Sequence, residues 1–182
     1  QSSQSLIRPG TAPPPKKKKK KERRKKKENI KQEKERRLNI EVERLKLIEQ
    51  EKVARTIVVP TMLKQVIDHP KFESHNLSSL KIVTYGAAPM PLDLIRRAVT
   101  SLPNARFINA FGQTETASTI TMLPPDDHDL TGTPEEIERK LKRLTSVGKP
   151  LSDVEVAIVD ENGDEVPIGN VGDIAARGSR LM

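Results

Sequence analysis

The sequence predicts an α/β fold, in which a βαβαβ parallel-sheet unit is followed by part of a small antiparallel β subdomain. A disordered N-terminal tail and a charged helix precede this fold. Short β-branched runs alternate with helical patterns across residues 56–109, and two strand-like runs flank a turn after residue 150. Basic residues concentrate before residue 39. We therefore divide the chain into a Pro- and Lys-rich low-complexity tail, residues 1–38, and a folded region, residues 39–182.

The tail differs in charge from the rest of the 182-residue chain. It holds 16 Lys and Arg against 4 Glu, a net of +12, so the remaining residues hold 17 basic and 21 acidic groups, a net of −4, within the total of +8. Residues 1–15 end in three prolines, which favour extended backbone. Residues 16–27 contain no apolar residue, and their mutual repulsion predicts either disorder or a frayed, salt-dependent helix.

A charged helix is predicted to follow and to run to about Lys52. Its apolar residues recur at spacings near those of a single helix face, which makes a narrow stripe able to dock on other elements. These residues are Ile30, Leu38, Val42, Leu45 and Ile48.

The parallel unit is predicted from three strands and two helices. Residues 56–59 form a β-branched run ended by Pro60, and residues 61–68 have helical spacing with Thr61 placed to cap them. Residues 80–85 form the second strand, and residues 91–102 a helix that begins at Pro91. Residues 106–109 form the third strand, closed by Gly112. Short connections between alternating strands and helices are typical of right-handed parallel crossovers.

The pattern changes beyond residue 131. Residues 134–144 form a charged helix. Residues 154–159 and 172–177 are predicted to pair as an antiparallel hairpin, with a turn at residues 161–164 that contains Gly163.

Composition excludes several classes of protein. The chain has no cysteine, which rules out disulfides and thiolate metal sites. No apolar run approaches the roughly 20 residues of a membrane span, and no signal peptide is evident. We therefore expect a soluble, cytoplasmic protein. His69, His75 and His128 lack metal-ligand spacing, so we expect them at the surface.

Ligand-binding residues are expected after the second and third strands, because ligands bind beyond the carboxyl ends of parallel strands. The first site segment, residues 85–89, brings small residues where a backbone can approach a ligand closely. The second site segment, residues 109–115, gathers amide, hydroxyl and carboxylate groups on one loop. Both suit a polar, phosphate-bearing ligand. Taken singly, however, Gly86 and Gly112 are ordinary strand terminators, and Glu115 is a solvated carboxylate.

Together the two segments, about 25 residues apart, resemble the adenylate-forming superfamily of acyl-CoA synthetases, luciferases and peptide-synthetase adenylation domains. Residues 59–62, 146–150 and 172–178 agree with that family in order and spacing. The resemblance covers residues 39–182. Within it, the sequences of residues 56–62 and 113–122 are most similar to those of bacterial fatty-acid:CoA ligases. It implies that the βαβαβ unit belongs to the large domain of such an enzyme.

The resemblance also implies the reaction and the residue roles. A carboxylic, typically fatty, acid reacts with ATP and Mg²⁺ to give acyl-AMP and pyrophosphate, and CoA then takes the acyl group as a thioester. The implied catalytic residues are Thr114, at the α-phosphate or reacting carboxylate, and Glu115, which holds Mg²⁺. Phe111 is implied to stack on adenine. The implied nucleotide-binding residues are Gly86, Ala87, Ala88, Pro89, Asn109, Ala110, Phe111, Gly112 and Gln113.

The resemblance also leads to expectations about parts of the enzyme that lie outside the matched region. The chain begins at Gln1 and ends at Met182, which suggests that one or both ends are cut. The family's phosphate loop lies upstream of the matched region, and its ribose-binding Asp and lid with a catalytic Lys lie downstream. We therefore expect the chain alone to be inactive or to bind nucleotide weakly.

The basic tail supports an alternative, non-catalytic function. Residues 16–27 have the charge to bind nucleic acid, tubulin or an anionic surface, or to act as a nuclear import signal. No aromatic residue lies among them, so stacking on bases is not indicated. A solvated charge run is the plain alternative, and a degenerate ligase piece that serves as an interaction module is a third.

Overall fold

The computed structural model describes residues 16–179 and Leu181. Within the first helix, the side chains of residues 16–23, 34, 37 and 38 lie outside this description, and so does the predicted disorder of residues 1–15. The elements, in chain order, are α1 (Lys16–Gln50), β1 (Arg55–Val58), α2 (Pro60–Ile67), β2 (Ile82–Gly86), α3 (Leu92–Ser101), β3 (Arg106–Gln113), β4 (Ser118–Leu123), α4 (Pro134–Arg143), β5 (Lys149–Pro150), β6 (Glu155–Val159) and β7 (Asp173–Arg177).

The charged helix is longer than its apolar stripe. Of the two alternatives for residues 16–27, the structure has helix, because α1 begins at Lys16. The described residues divide into two units, one that ends at Ile40 and one that begins at Glu41. In the second unit Leu45 and Ile48 are buried, whereas Ile30 in the first is 60% exposed. Among the stripe residues whose side chains the structure describes, Leu45 and Ile48 are therefore packed and Ile30 is not.

The main sheet has the strand order β1-β2-β3-β4-β5. The first three strands are parallel, as predicted, and β4 and β5 extend the sheet in antiparallel fashion. The predicted third strand was too short: β3 continues to Gln113, so most of the second site segment lies in a strand and not on a loop. The predicted hairpin is confirmed, since β6 and β7 form a separate antiparallel sheet.

Prolines lie at the starts of α2 and α3. The prediction that Thr61 caps α2 is wrong: Val59 is the N-cap residue and Pro60 occupies the first turn. Proline suits that position because its fixed φ is helical and its missing N–H is not needed there. In α3 it is Pro91 that stands at the N-cap, in extended backbone.

The core lies on one face of the main sheet. Val83, Tyr85 and Phe107 are buried there and belong to one apolar cluster with Ile95 and Ala98 of α3. The opposite face is open at its edge, where Ile57 of β1 is 79% exposed. The alternation of β-strand side chains thus gives the sheet one packed face and one open face.

Two histidines contradict the expectation of surface positions. His69 and His128 are only 7% and 2% exposed. The Nδ1 of His128 lies 2.9 Å from the carbonyl oxygen of Pro124, and its Nε2 lies 2.9 Å from the hydroxyl of Tyr85. Since a carbonyl only accepts, Nδ1 carries the proton and Nε2 accepts from the tyrosine. The ring is buried because both nitrogens are satisfied.

The stability of the fold is expected to depend on His128 below neutral pH. Burial lowers the pKa of His128 from its ordinary value, so the unfolded chain takes up the proton more readily than the folded one. The contribution of neutral His128 to the free energy of unfolding is complete above the ordinary histidine pKa of about 6.5, and it is lost as pH falls below that value. Between about pH 7.5 and 5.5 we expect the free energy of unfolding in urea to fall by on the order of 1 kcal/mol.

Two variants check this dependence. The slope against pH should flatten in His128→Gln and persist in Thr100→Ala, an exposed position of α3 that carries no titrating group. Equal slopes in wild type and His128→Gln would contradict the prediction.

Candidate functional site

A cavity of about 570 Å³ lies at the carboxyl ends of the parallel strands. The two predicted site segments meet in it. The first contributes Tyr85, Gly86 and Ala87, and the second contributes Ala110, Gly112, Gln113 and Thr114. The volume is in the range of small-molecule sites.

Six further lining residues were not predicted as site residues. They come from β1 and its following residue, from β2 and from β4: Ile57, Val58, Val59, Thr84, Ser118 and Thr119. Strand register explains two of them, because Ile57 pairs with Thr84 in the parallel ladder. Ser118 and Thr119 lie at the start of β4. Their place in the cavity follows from the pairing of β4 with β3, which the local sequence does not reveal.

The structure leaves five predicted residues outside this cavity. Ala88 and Pro89 are exposed beyond the end of β2, and Glu115 is exposed on a short 3₁₀ turn next to Thr114. Asn109 and Phe111 alternate along β3 with Ala110 and Gly112, which line the cavity.

Asn109 instead connects the site to residues 146–150. Its side-chain amide donates to the carbonyl oxygen of Ser146 at 3.2 Å. The hydroxyl of Thr121 donates to the carbonyl of Val147 at 2.7 Å, and β5 pairs with β4 just beyond. Residues 146–150 therefore hold the outer strands that carry one wall of the cavity.

Backbone forms much of the cavity wall, which explains its small residues. A Cβ atom built on Gly86 would lie 2.1 Å from the carbonyl oxygen of Ala110. One built on Gly112 would lie 1.5 Å from that of Ser118. Glycine is required at both positions by close approach of the neighbouring strand.

Left-handed backbone also marks the rim. Among the described residues, four that are not glycine have positive φ, and two of them line the cavity: Ala87 at 61° and Ser118 at 88°. A third, Ala117 at 49°, ends the turn beside it. Such conformations cost on the order of 1 kcal/mol each and cluster at functional sites.

The turn that carries Thr114 and Glu115 is fixed by its neighbours. The backbone N–H of Gln113 donates to the hydroxyl of Thr116 at 2.9 Å, and that hydroxyl lies 2.9 Å from the carbonyl of Gln113. The side chains of Thr114 and Glu115 are exposed. The turn thus carries an exposed hydroxyl that lines the cavity and, next to it, an exposed carboxylate outside the lining.

The chemistry of the lining suits a ligand with a neutral, flat part and a polar part. Among the described residues that line it, none is a carboxylate, lysine, arginine or histidine. No group of three or more potential metal ligands occurs in the described part of the chain. A single carboxylate with substrate phosphates is a common way of holding Mg²⁺, so Glu115 fits that ion without a protein cage.

A larger cavity, of about 780 Å³, lies between the end of α2 and α3. It is lined by His69, Arg96 and Arg97 among others. It is remote from the carboxyl ends of the strands and contains neither site segment, so we regard the smaller cavity as the functional site.

Comparison with known proteins decides the family. The profile of the family described as AMP-binding enzyme matches residues 30–182. The chain belongs to this family. The resemblance to adenylate-forming enzymes drawn from the site segments is thereby confirmed.

Individual relatives agree. The chain is 36% identical over 137 residues to the medium/long-chain-fatty-acid–CoA ligase FadD8 of Mycobacterium tuberculosis, covering 75% of this chain and 22% of that protein. It is 32% identical over 138 residues to a feruloyl-CoA synthase of an Amycolatopsis species, covering 76% of this chain and 25% of that one. The chain spans about a quarter or less of the length of these relatives.

Solved structures show the same fold. The amide bond synthetase McbA from Marinactinospora thermotolerans is 32% identical with a TM-score of 0.66, over 78% of this chain and 26% of its own. The long-chain-fatty-acid-CoA ligase FadD1 from Archaeoglobus fulgidus is 26% identical with a TM-score of 0.60, over 78% and 28%. The α/β fold of this chain is therefore that of adenylate-forming enzymes. None of the helices in the described residues combines the length and apolar composition needed to cross a membrane.

Proposed function

We propose that this chain forms part of the adenylation domain of an ATP-dependent acid:CoA ligase. The reaction is the attack of a carboxylate on the α-phosphorus of ATP, which gives acyl-AMP and releases pyrophosphate. The acyl group is then transferred to CoA as a thioester, with release of AMP. One observation carries the proposal: two segments about 25 residues apart meet in one cavity at the carboxyl ends of parallel strands. The CoA ligases among its relatives support the acceptor. The cytoplasm, where ATP and CoA occur together, is the compartment that the proposal implies.

The two site segments are proposed to have different roles in binding the ligand. Gly86 and Ala87 form one wall and leave room for a flat base or an acyl group beside the backbone. Ala110, Gly112 and Gln113 line the cavity beside them, on the neighbouring strand β3. The implied nucleotide-binding roles of Asn109 and Phe111 stay predictions, since neither residue lines the cavity itself.

Charge that develops on the α-phosphate would be met at the cavity mouth. We expect the hydroxyl of Thr114, which lines the cavity, to donate to a phosphate oxygen there, and Glu115 beside it to offer a hard oxygen ligand for Mg²⁺. When bound, the ion neutralises phosphate charge, which grows as pyrophosphate leaves. The chain's own contribution is to position the nucleotide and to supply these two groups.

Nucleotide binding tests the site directly. Titration of the ¹⁵N-labelled chain with AMP should shift amide resonances of Gly86, Ala87, Gly112 and Thr114. Thr114→Ala should weaken binding of AMP but not of adenosine, because the hydroxyl meets the phosphate. Thr100→Ala, on the exposed side of α3, is the matched control and should bind both as wild type does. No shifts at these amides, or shifts confined to the α2–α3 cavity, would refute the site.

Catalysis by the chain alone is expected to be absent. It spans 22% of the length of FadD8, and the family's phosphate loop and lid are not among the motifs it contains. ATP–pyrophosphate exchange with a panel of fatty and aromatic acids should give no signal above a buffer blank. A robust signal would show that the matched region suffices for adenylation.

A further inference from the structure

The first part of α1 carries an unusually dense positive charge. Residues 16–27 are helical and comprise 11 Lys and Arg with one Glu. At a rise of about 1.5 Å per residue, this is roughly one positive charge per 1.6 Å of helix axis. Duplex DNA carries one negative charge per about 1.7 Å of its axis. We propose that residues 16–27 bind duplex nucleic acid through its phosphates, without reading base sequence.

Helical geometry favours a groove as the place of binding. Successive helical residues are about 100° apart, so 11 basic residues among 12 are distributed around the helix axis. A helix of about 10–12 Å diameter enters the major groove, which is about 12 Å wide. Basic residues distributed around the helix can then contact either phosphate wall. The described side chains of Arg24, Lys25, Lys26 and Lys27 are exposed and available for such contacts.

Other polyanions match this segment less well. It has no apolar residue to enter a membrane interface and no aromatic residue to stack on single-stranded bases. An extended acidic peptide offers at most one charge per about 3.3 Å, half the density of the helix. The density of duplex phosphates is the closest match.

The next part of the helix provides an internal contrast. From residue 28 onward, acidic and basic residues alternate and pair along the helix, as in Lys31 with Glu35 and Arg36 with Glu33. Residues 16–27 have one acidic residue for 11 basic ones. Excess charge is thus confined to one short segment, while residues 39–182 carry a net of −4.

Fluorescence anisotropy of the full chain with a labelled duplex of about 24 base pairs tests the proposal. If six phosphates are neutralised, the logarithm of the binding constant should fall with the logarithm of salt concentration at a slope of about −5. This is a loss of roughly 10³-fold between 50 and 200 mM salt. The triple variant Lys25→Gln, Lys26→Gln, Lys27→Gln should reduce the slope by about 3. Glutamine keeps the helix propensity of lysine.

The control removes the same number of charges from α4. Arg139→Gln, Lys140→Gln, Lys142→Gln should leave the affinity and the slope unchanged, because acidic residues accompany these positions. Three results would overturn the proposal: no binding at about 50 mM salt, an unchanged slope in the triple variant, or tighter binding to a single strand of equal length or to vesicles containing phosphatidylserine.

Discussion

Replacement of Gly112 by alanine is expected to lower the free energy of unfolding by about 3 kcal/mol. The new methyl group would lie 1.5 Å from the carbonyl oxygen of Ser118 and 2.9 Å from the Cα of Thr119. Both obstacles are backbone of β4, so no side-chain rotation relieves the clash. The strands must separate where β3 meets β4, at the bulge between Phe111 and Gly112. The cavity wall should be lost together with stability.

A substitution at a second glycine distinguishes the cost of steric crowding from the cost of an unfavourable backbone conformation. Gly163 has a φ of +87°, and a methyl group added there would meet no atom within 4 Å, so Gly163→Ala carries conformational cost alone. We expect about 1 kcal/mol there. Urea unfolding followed by circular dichroism measures both, and AMP titration should show weakened binding only in Gly112→Ala. Equal losses in the two variants would mean that the close strand approach is not what glycine provides at position 112.

The parallel unit could be predicted because its signals are local. Apolar and β-branched runs, ended by Pro60, Gly86 and Pro103, mark each strand and helix within a few residues. The end of β3 could not be found in this way. Gly112 and Gln113 read as a loop, and they are strand because Thr119 and Ser118 of β4 pair with them. Whether such residues are strand or loop depends on pairing with another segment, which the local sequence does not show.

The site was predicted in the same partial manner. Motif spacing identified residues that line the cavity, including Gly86, Ala87 and Thr114. It could not separate the two faces of β3, on which Ala110 lines the cavity and Asn109 binds the carbonyl of Ser146. Nor could it find Ile57 and Thr84, since their place depends on the register of β1 against β2.

The buried histidines were missed for an energetic reason. A histidine without metal-ligand spacing is most simply placed at the surface, because burial of its polar ring is costly. His128 avoids that cost because both ring nitrogens have a hydrogen-bond partner. One partner, Tyr85, is far away in the sequence, and the other is a backbone carbonyl, that of Pro124, which no sequence pattern marks. The rings of Tyr85 and Phe107 pack against it, with centroids 5.6 and 6.3 Å away. Only the assembled core reveals this arrangement.

Replacement of Tyr85 by phenylalanine is therefore expected to cost about 2 kcal/mol of unfolding free energy. The ring is retained, so packing in the core hardly changes. The hydroxyl is lost, and the buried Nε2 of His128 is left without a donor. The size of the effect comes from that unsatisfied acceptor and not from the hydrogen bond alone.

A double-mutant cycle distinguishes the two contributions. In His128→Leu the tyrosine hydroxyl loses its acceptor, and in the double variant both polar groups of the pair are absent. Replacing both partners by apolar groups should cost less than the sum of the single changes, because no member of the pair is then buried unsatisfied. Circular dichroism must follow unfolding, since Tyr85 is the only tyrosine and the chain has no tryptophan. Strict additivity, or a Tyr85→Phe chain as stable as wild type, would show that the contact at 2.9 Å does not hold the end of β2 against the 3₁₀ turn at Pro125–His128.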